Sequence, residues 1–158
     1  MDYLEVIRSQ YQASLEMLKH AILKCPQEIW NDAADKNKSW YIAYHALFYT
    51  HYYLHGTAQE FQPWQGHWDD RLPELPQIAE GYSRADVLEY LAFCQRQVDE
   101  QVPRLNLEAE SGFRGRPQTK FELQIYTIRH IQGHAGELIE RLGTRAQIDV
   151  DWVGTKHD

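Results

Sequence analysis

Hydrophobic side chains near the start of the chain recur every three or four residues, which is the spacing of one face of a helix. In residues 2–24 this stripe consists of Leu4, Ile7, Tyr11, Leu15, Leu18 and Ile22. Asp2 stands where a helix N-cap is expected, and Pro26 either ends the helix or opens a short turn, Pro26–Trp30. The pattern predicts a first helix over 2–24, followed by a polar loop over 31–38.

The next segment, residues 39–54, is dominated by aromatic residues: Trp40, Tyr41, Tyr44, Phe48, Tyr49, Tyr52 and Tyr53. Such enrichment alone is typical of a strand. The length of the segment and the helical spacing of Ile42, His45 and Tyr49 favour a helix instead. We therefore predict a second helix, which Gly56 ends.

A long connection follows over residues 56–81. It contains three prolines, Pro63, Pro73 and Pro76. Because it is too long for a simple turn, we expect it to cross an end or a side of the helical domain. Three aromatic residues are expected to fix it there: Phe61, Trp64 and Trp68.

Two further helices are predicted to begin with capping boxes. Ser83 and Asp86 open a third helix that ends near Pro103; its stripe is Val87, Leu88, Leu91, Gln95, Val98 and Val102. After a polar loop over 106–118, Thr119 and Glu122 open a fourth helix over 119–142. Gly143 is expected to end that helix.

Four helical segments without a convincing strand predict an all-α protein, a four-helix bundle in one domain over residues 1–143. The length of 158 residues suits one domain. Residues 144–158 are predicted to form a C-terminal extension. We expect this extension to be an arm that packs on the domain or on a second subunit.

Composition limits the class of partner. The net charge of −7 and the lack of a basic run argue against nucleic acid. No apolar stretch approaches the ~18 residues that span a bilayer, so no membrane partner is expected. Cys25 and Cys94 do not form a Cys-x-x-Cys pair, which excludes a cysteine zinc site. Two isolated cysteines favour a reducing, cytoplasmic location, although a disulfide between them stays an alternative.

The chain contains eight histidines, about twice the usual number for this length. His130 and His134 are four residues apart on the inward stripe of the fourth helix, so both imidazoles can face one ion. His45 lies on the inward stripe of the second helix. Together, these three histidines predict a metal site with an open position for water or substrate. The alternative is three core histidines that hydrogen-bond to their neighbours.

The remaining histidines have less informative positions. His51 and His55 are also four apart, but His51 lies about 120° round the helix from His45. Both are therefore predicted to be surface or capping residues. His20, His67 and His157 have no helical partner and are given no role.

Other known site types are excluded by spacing. No Glu-x-x-His occurs for a di-iron bundle, and no His-Glu-x-x-His, phosphate loop or Gly-x-Ser-x-Gly elbow occurs. Glu137 either supports the site, as a proton acceptor or as a base on metal-bound water, or pairs with Arg141 at i+4, and the pair is favoured. Four tyrosines either supply hydroxyls to the pocket or form plain core: Tyr41, Tyr44, Tyr49 and Tyr126.

Two stretches, Trp40–Phe48 and Arg129–Leu138, together resemble the DinB-like superfamily of metal-binding four-helix bundles. The resemblance extends from about residue 2 to residue 142, and the chain beyond Gly143 departs from the family pattern. It implies an up-up-down-down arrangement with a long crossover connection. It also implies one divalent metal ion, held by His45, His130 and His134.

The resemblance also implies a metal-dependent transferase acting on a low-molecular-weight thiol. The alternatives are a metal-dependent hydrolase and a non-catalytic, metal-stabilised dimeric stress-response or binding protein. Zinc or nickel is the expected metal, with iron next. Three imidazoles also accept copper, and geometry and supply rather than the ligands decide among these ions. We expect a small molecule or thiol as ligand and a homodimer as the assembly. The sequence shows no cluster of arginines suited to a carboxylate-rich thiol.

Overall fold

The computed structural model describes residues 1–67 and 81–156, and in these ranges the protein is all-α. Its helices are α1 (Tyr3–Lys24), α2 (Gln27–Trp30), α3 (Ser39–Tyr53), α4 (Arg84–Gln101) and α5 (Lys120–Ala146). Single 3-10 turns occur at Ala58–Glu60 and Val102–Arg104. Four positions named in the sequence predictions lie outside the described residues: Trp68, Pro73, Pro76 and His157.

Side-chain caps fix the starts of three helices. The Asp2 carboxylate accepts hydrogen bonds from the first turn of α1, as predicted. Ser83 and Asp86 form both bonds of the predicted capping box at α4. Thr119 accepts a bond of 3.2 Å from the Glu122 N–H, which is one half of the box predicted for α5.

The prediction that Gly143 ends the last helix is wrong. α5 continues to Ala146, and Gln147 adopts the left-handed conformation with φ 56°. A glycine inside a helix costs about 1 kcal/mol relative to alanine. Leu142 and Ala146 both pack against the core on either side of Gly143, so burial offsets that cost.

The residues after α5 lie along α1. Lys24 Nζ donates a 2.7 Å hydrogen bond to the Asp149 carbonyl, and Gln10 Nε2 donates one of 3.1 Å to the Gly154 carbonyl. Three apolar side chains of this segment pack against the core: Ile148, Val150 and Val153. These contacts join the end of the described chain to the first helix.

α5 runs parallel to α1 and antiparallel to α3. Phe121, at the start of α5, contacts Tyr3 at the start of α1, and the Tyr11 hydroxyl donates a 2.7 Å bond to Gln124. Arg141, near the end of α5, donates a 3.0 Å bond to the Ser39 hydroxyl at the start of α3. α1 and α3 therefore run in opposite directions.

α4 runs antiparallel to α1. Arg8, near the start of α1, pairs with Asp99 near the end of α4 at 3.1 Å. One turn further along α1, Gln12 Nε2 donates a 2.9 Å bond to the Gln95 carbonyl, one turn earlier in α4. Since α1 is also antiparallel to α3, α3 and α4 run parallel to each other.

In chain order the four long helices thus run up, down, down, up, and the expected up-up-down-down order is wrong. The physical reason is the length of the connections. Two consecutive parallel helices require a connection that returns along the length of a helix, about 27 Å for 18 residues. The connection over 54–83 is the longest between the long helices, and it joins the parallel pair α3 and α4.

The core lies among the four long helices, since α1 and α3 each pack against both α4 and α5. Its largest fully buried side chains include Tyr11, Trp40, Tyr44, Tyr90 and Leu91. Cys25 and Cys94 are buried free thiols, so the disulfide alternative is wrong. Among the described residues, no helix combines the length and the apolar character needed to cross a membrane.

Candidate metal centre

α3 and α5 bring the three predicted histidines together. His45 projects from α3, and His130 and His134 project from consecutive turns of α5. One ring nitrogen of each lies within 4.8 Å of the other two. The Nε2 atom of His130 lies 3.2 Å from Nε2 of His45 and 3.1 Å from Nε2 of His134.

The spacing of these nitrogens fits a small divalent ion. Zinc binds imidazole nitrogen at about 2.0–2.1 Å, so two nitrogens on one tetrahedral ion are roughly 3.3–3.4 Å apart. The two observed separations, 3.1 and 3.2 Å, are within a few tenths of an ångström of that value. These three side chains can therefore hold a metal ion, with a fourth position left to a ligand.

Burial keeps the imidazoles of His45 and His130 neutral. The pKa of His45 is lowered to about 4, first through burial and then through His134. The pKa of His130 is likewise about 4, first through burial and then through His134 and His45. Only the neutral ring has a lone pair for a metal. At neutral pH these two rings therefore do not have to lose a proton before they bind a metal ion.

Glu137 orients His134. The Nδ1 atom of His134 lies 3.1 Å from Oε2 of Glu137. When Nδ1 carries the proton and donates it to this carboxylate, Nε2 keeps its lone pair for the metal. The prediction that Glu137 pairs with Arg141 is wrong. Arg141 reaches the loop before α3 instead, where it donates to Asp35 and to the Asn37 carbonyl.

The second nitrogen of His130 has an unusual environment. His130 Nδ1 is buried and forms no hydrogen bond. The ring lies between Tyr126, stacked at 6.4 Å, and Tyr49, in edge contact at 5.7 Å. Buried polar atoms normally have partners. Because Nδ1 has none, this atom does not set the orientation of the ring. That orientation is set by packing and by the nitrogens that face Nε2.

A cleft of about 640 Å³ opens beside the histidines, and His45 forms part of its wall. Most of the remaining wall is aromatic: Tyr41, Phe48, Tyr49, Tyr52, Tyr53 and Phe113. Arg114 and Arg116 complete the lining from the loop before α5. The expectation that no arginines cluster near the site is therefore wrong. The Arg-Gly-Arg spacing in the polar loop was the one available signal.

The four candidate tyrosines have different positions. Tyr41 and Tyr49 line the cleft, as the pocket alternative predicts. Tyr44 is fully buried, and its hydroxyl bonds to Nδ1 of His67. Tyr126 stacks on His130 without lining the cleft.

The prediction that His51 is a surface or capping residue is wrong. Its side chain is 2% exposed, and Nδ1 lies 3.1 Å from the Tyr90 hydroxyl. α4 and Phe61 cover this side of α3, so a position 120° from His45 faces protein rather than solvent. His55 bonds through Nδ1 to the His51 carbonyl at 2.9 Å and so caps the last turn of α3.

The three comparisons with known proteins add no relative. No protein-family model, no curated protein and no solved structure matches the chain.

Proposed function

We propose that the chain is a metal-binding protein of the DinB-like type that transfers a low-molecular-weight thiol to an electrophilic substrate. His45, His130 and His134 hold one divalent ion in this proposal, with zinc or nickel as the metal. The observation that carries it is the cleft of about 640 Å³ that reaches His45, because a small molecule can enter there beside the converging Nε2 atoms.

The proposal includes a four-helix bundle. Its support is the packing of α1 and α3 against both α4 and α5, which surrounds one continuous core. The two stretches that resemble the DinB-like superfamily also contribute the facing histidines. A metal site in the core of a bundle, built from facing helices, is a common solution for such proteins.

A divalent ion on three imidazoles supplies Lewis-acid chemistry and lowers the pKa of a thiol or water at its open position. The chain itself supplies the other parts. The aromatic wall of the cleft excludes water around an entering molecule, and Tyr41 and Tyr49 offer hydroxyl groups beside His45. Glu137 bonds to Nδ1 of His134, on the opposite side of the ring from Nε2. We therefore assign Glu137 a positioning role rather than direct contact with substrate.

The direct test uses the full chain, purified without a histidine tag. Bound metal is measured, and turnover is followed with several small thiols and an aromatic halide as electrophile. We expect one metal ion per chain and thiol-dependent turnover, both lost in His45→Ala and both kept in His20→Ala. Wild-type protein that binds metal but turns over no thiol contradicts the transferase. If the same protein hydrolyses ester or amide substrates, the hydrolase alternative replaces it.

A second candidate is a non-catalytic, metal-stabilised homodimer that acts as a binding protein. The observation that favours it is a group of exposed apolar side chains where α1 and α5 begin. Tyr3 and Phe121 contact each other and are 58% and 42% exposed, and Ile125, one turn further along α5, is 40% exposed. A dimer that is dissociated by Phe121→Glu, in a protein without turnover, supports this candidate.

A further inference from the structure

The cleft beside the histidines has two chemically different parts. Its α3 side is aromatic, while the loop before α5 contributes two positively charged residues, Arg114 and Arg116, to the lining. His45 lies in the α3 wall of the cleft. A molecule bound here meets an apolar surface, two positive charges and the edge of the proposed metal site.

The loop that carries the two arginines has a fixed base. Its two ends are joined by backbone bonds, from Ser111 N–H to the Gln118 carbonyl at 2.7 Å and from Lys120 N–H to the Ala109 carbonyl at 2.8 Å. Phe113, 6% exposed, anchors the middle in a small apolar cluster. The arginines therefore project from a positioned loop.

The loop is also attached to the end of α3. Lys120 Nζ donates bonds of 2.9 and 2.6 Å to the carbonyls of His55 and Gly56. Gly112, with φ +78°, passes so close that an added Cβ would lie 2.3 Å from the Gly56 carbonyl oxygen. This contact needs glycine, and it sets the distance between the arginine loop and the aromatic wall.

The two guanidinium groups have no acidic partner in the described part of the chain, where no carboxylate lies within 4.0 Å of either. Arg116 lies over the rings of Tyr53 and Tyr126, at 5.8 and 5.9 Å from their centroids. These contacts orient the group but do not neutralise it. Both arginines also line a neighbouring hollow of the same loop together with Glu108 and Glu110, which form no ion pair with them. A protein of net charge −7 thus presents local positive charge at this cleft.

We propose that this cleft binds an organic carboxylate, with the carboxylate on Arg114 and Arg116 and the apolar body against the aromatic side chains of α3. Guanidinium groups recognise carboxylates through paired, charge-assisted hydrogen bonds. Combined with the proposed function, on which this last step rests, the substrate is a thiol that carries a carboxylate. Its sulfur lies towards His45, the one of the three histidines that lines the cleft, while its carboxylate stays on the loop.

The test has two arms, both by calorimetry on the full chain. The first compares phenylpropionate with phenylpropanol on metal-free protein. We expect the anion to bind about tenfold more tightly, the change that one hydrogen bond to a charged group produces. Arg114→Gln and Arg116→Gln should each reduce this preference. Arg96→Gln, which removes an exposed arginine over the Phe93 ring outside this cleft, should keep it.

The second arm compares mercaptopropionate with mercaptopropanol, with and without zinc. Zinc should strengthen binding of both thiols, while the arginines should favour only the carboxylate. Equal affinity for anion and alcohol in wild-type protein, or no detectable binding of either, overturns the carboxylate site. A preference that survives in the double variant R114Q/R116Q also overturns it. A carboxylate preference without any effect of zinc contradicts the proposed function and leaves the carboxylate site supported.

Discussion

Two groups of three histidines lie on different sides of α3, and they differ in where their ring nitrogens are directed. The first histidine cluster contains His45, His130 and His134; the second contains His51, His55 and His67. Both clusters include a pair spaced by four residues: His130 and His134 lie within α5, whereas His51 lies on α3 and His55 just beyond its end. In the first, the Nε2 atoms face each other at 3.1 and 3.2 Å. In the second, the Nδ1 atoms bond to other groups.

The second histidine cluster shows how imidazoles are satisfied without a metal. His51 Nδ1 lies 3.1 Å from the Tyr90 hydroxyl, and His55 Nδ1 lies 2.9 Å from the His51 carbonyl. His67 Nδ1 bonds to the Tyr44 hydroxyl. In the described residues, the first cluster is the one group of three whose ligand atoms converge. A spacing of four residues is thus not sufficient for a pair to share an ion, because nearby tyrosines and carbonyls can bond to the ring nitrogens instead.

The largest expected effect comes from removing a ligand of the first cluster. His45→Ala should reduce metal affinity by more than about 100-fold, since changes in outer-shell partners alone reduce it 10–100-fold. Metal content after dialysis, measured by elemental analysis, should fall from one ion per chain towards none. His55→Ala, from the second cluster, should keep its metal. If both variants retain one ion per chain, the two clusters do not differ as we infer.

Removing the metal should destabilise the protein by a smaller amount. A ligand at a hundred times its dissociation constant stabilises the folded state by about 2.7 kcal/mol. In a chain of this size that corresponds to a fall in melting temperature of roughly 5–11 °C when a chelator is added. Differential scanning calorimetry measures this shift. The chelator should have no effect on His45→Ala; an equal shift in that variant means that the stabilising ion binds elsewhere.

Glu137 tests whether orientation matters in the first cluster. Glu137→Ala removes the acceptor of the His134 Nδ1 proton and should weaken metal binding about tenfold, at the low end of outer-shell effects because the carboxylate is half exposed. Competition with a chromogenic chelator measures the affinity. Glu140→Ala, an exposed glutamate one turn further along α5, is the matched control. Equal affinities in the two variants remove the positioning role of Glu137.

Local patterns in the sequence predicted the all-α class and the starts of three helices correctly. The Asp2 cap and the capping box of Ser83 with Asp86 depend on residues two or three positions apart, so the sequence contains all the information. The same holds for His130 and His134, since a helix of period 3.6 places them on one face.

The remaining features depend on residues that are distant in sequence. The order of helix directions is visible only in contacts such as Arg8 with Asp99, 91 residues apart. The burial of His51 depends on α4, and α3 has no single polar face from which its environment could be predicted. Arg114 and Arg116 lie in a loop, where no periodicity indicates which way a side chain projects.

The smallest expected effect concerns the second cluster and pH. Burial lowers the pKa of His51 to about 4 in the folded state, with smaller contributions from His55 and His67, while the unfolded value is about 6.5. The unfolded chain therefore binds a proton that the folded chain refuses. This contribution to stability is complete above about pH 6.5 and is lost as pH falls towards 4. In metal-free protein, the fall in melting temperature from about pH 7.5 to about pH 6 should be roughly 2–3 °C smaller for His51→Gln than for wild type. His45 and His130 titrate equally in both proteins, so their effect cancels. The variant His20→Gln, at a partly exposed site on α1 away from this contact, should show the full wild-type fall. If His51→Gln shows it too, His51 accepts its proton without opening the α3–α4 contact, and its bond to Tyr90 does not keep it neutral.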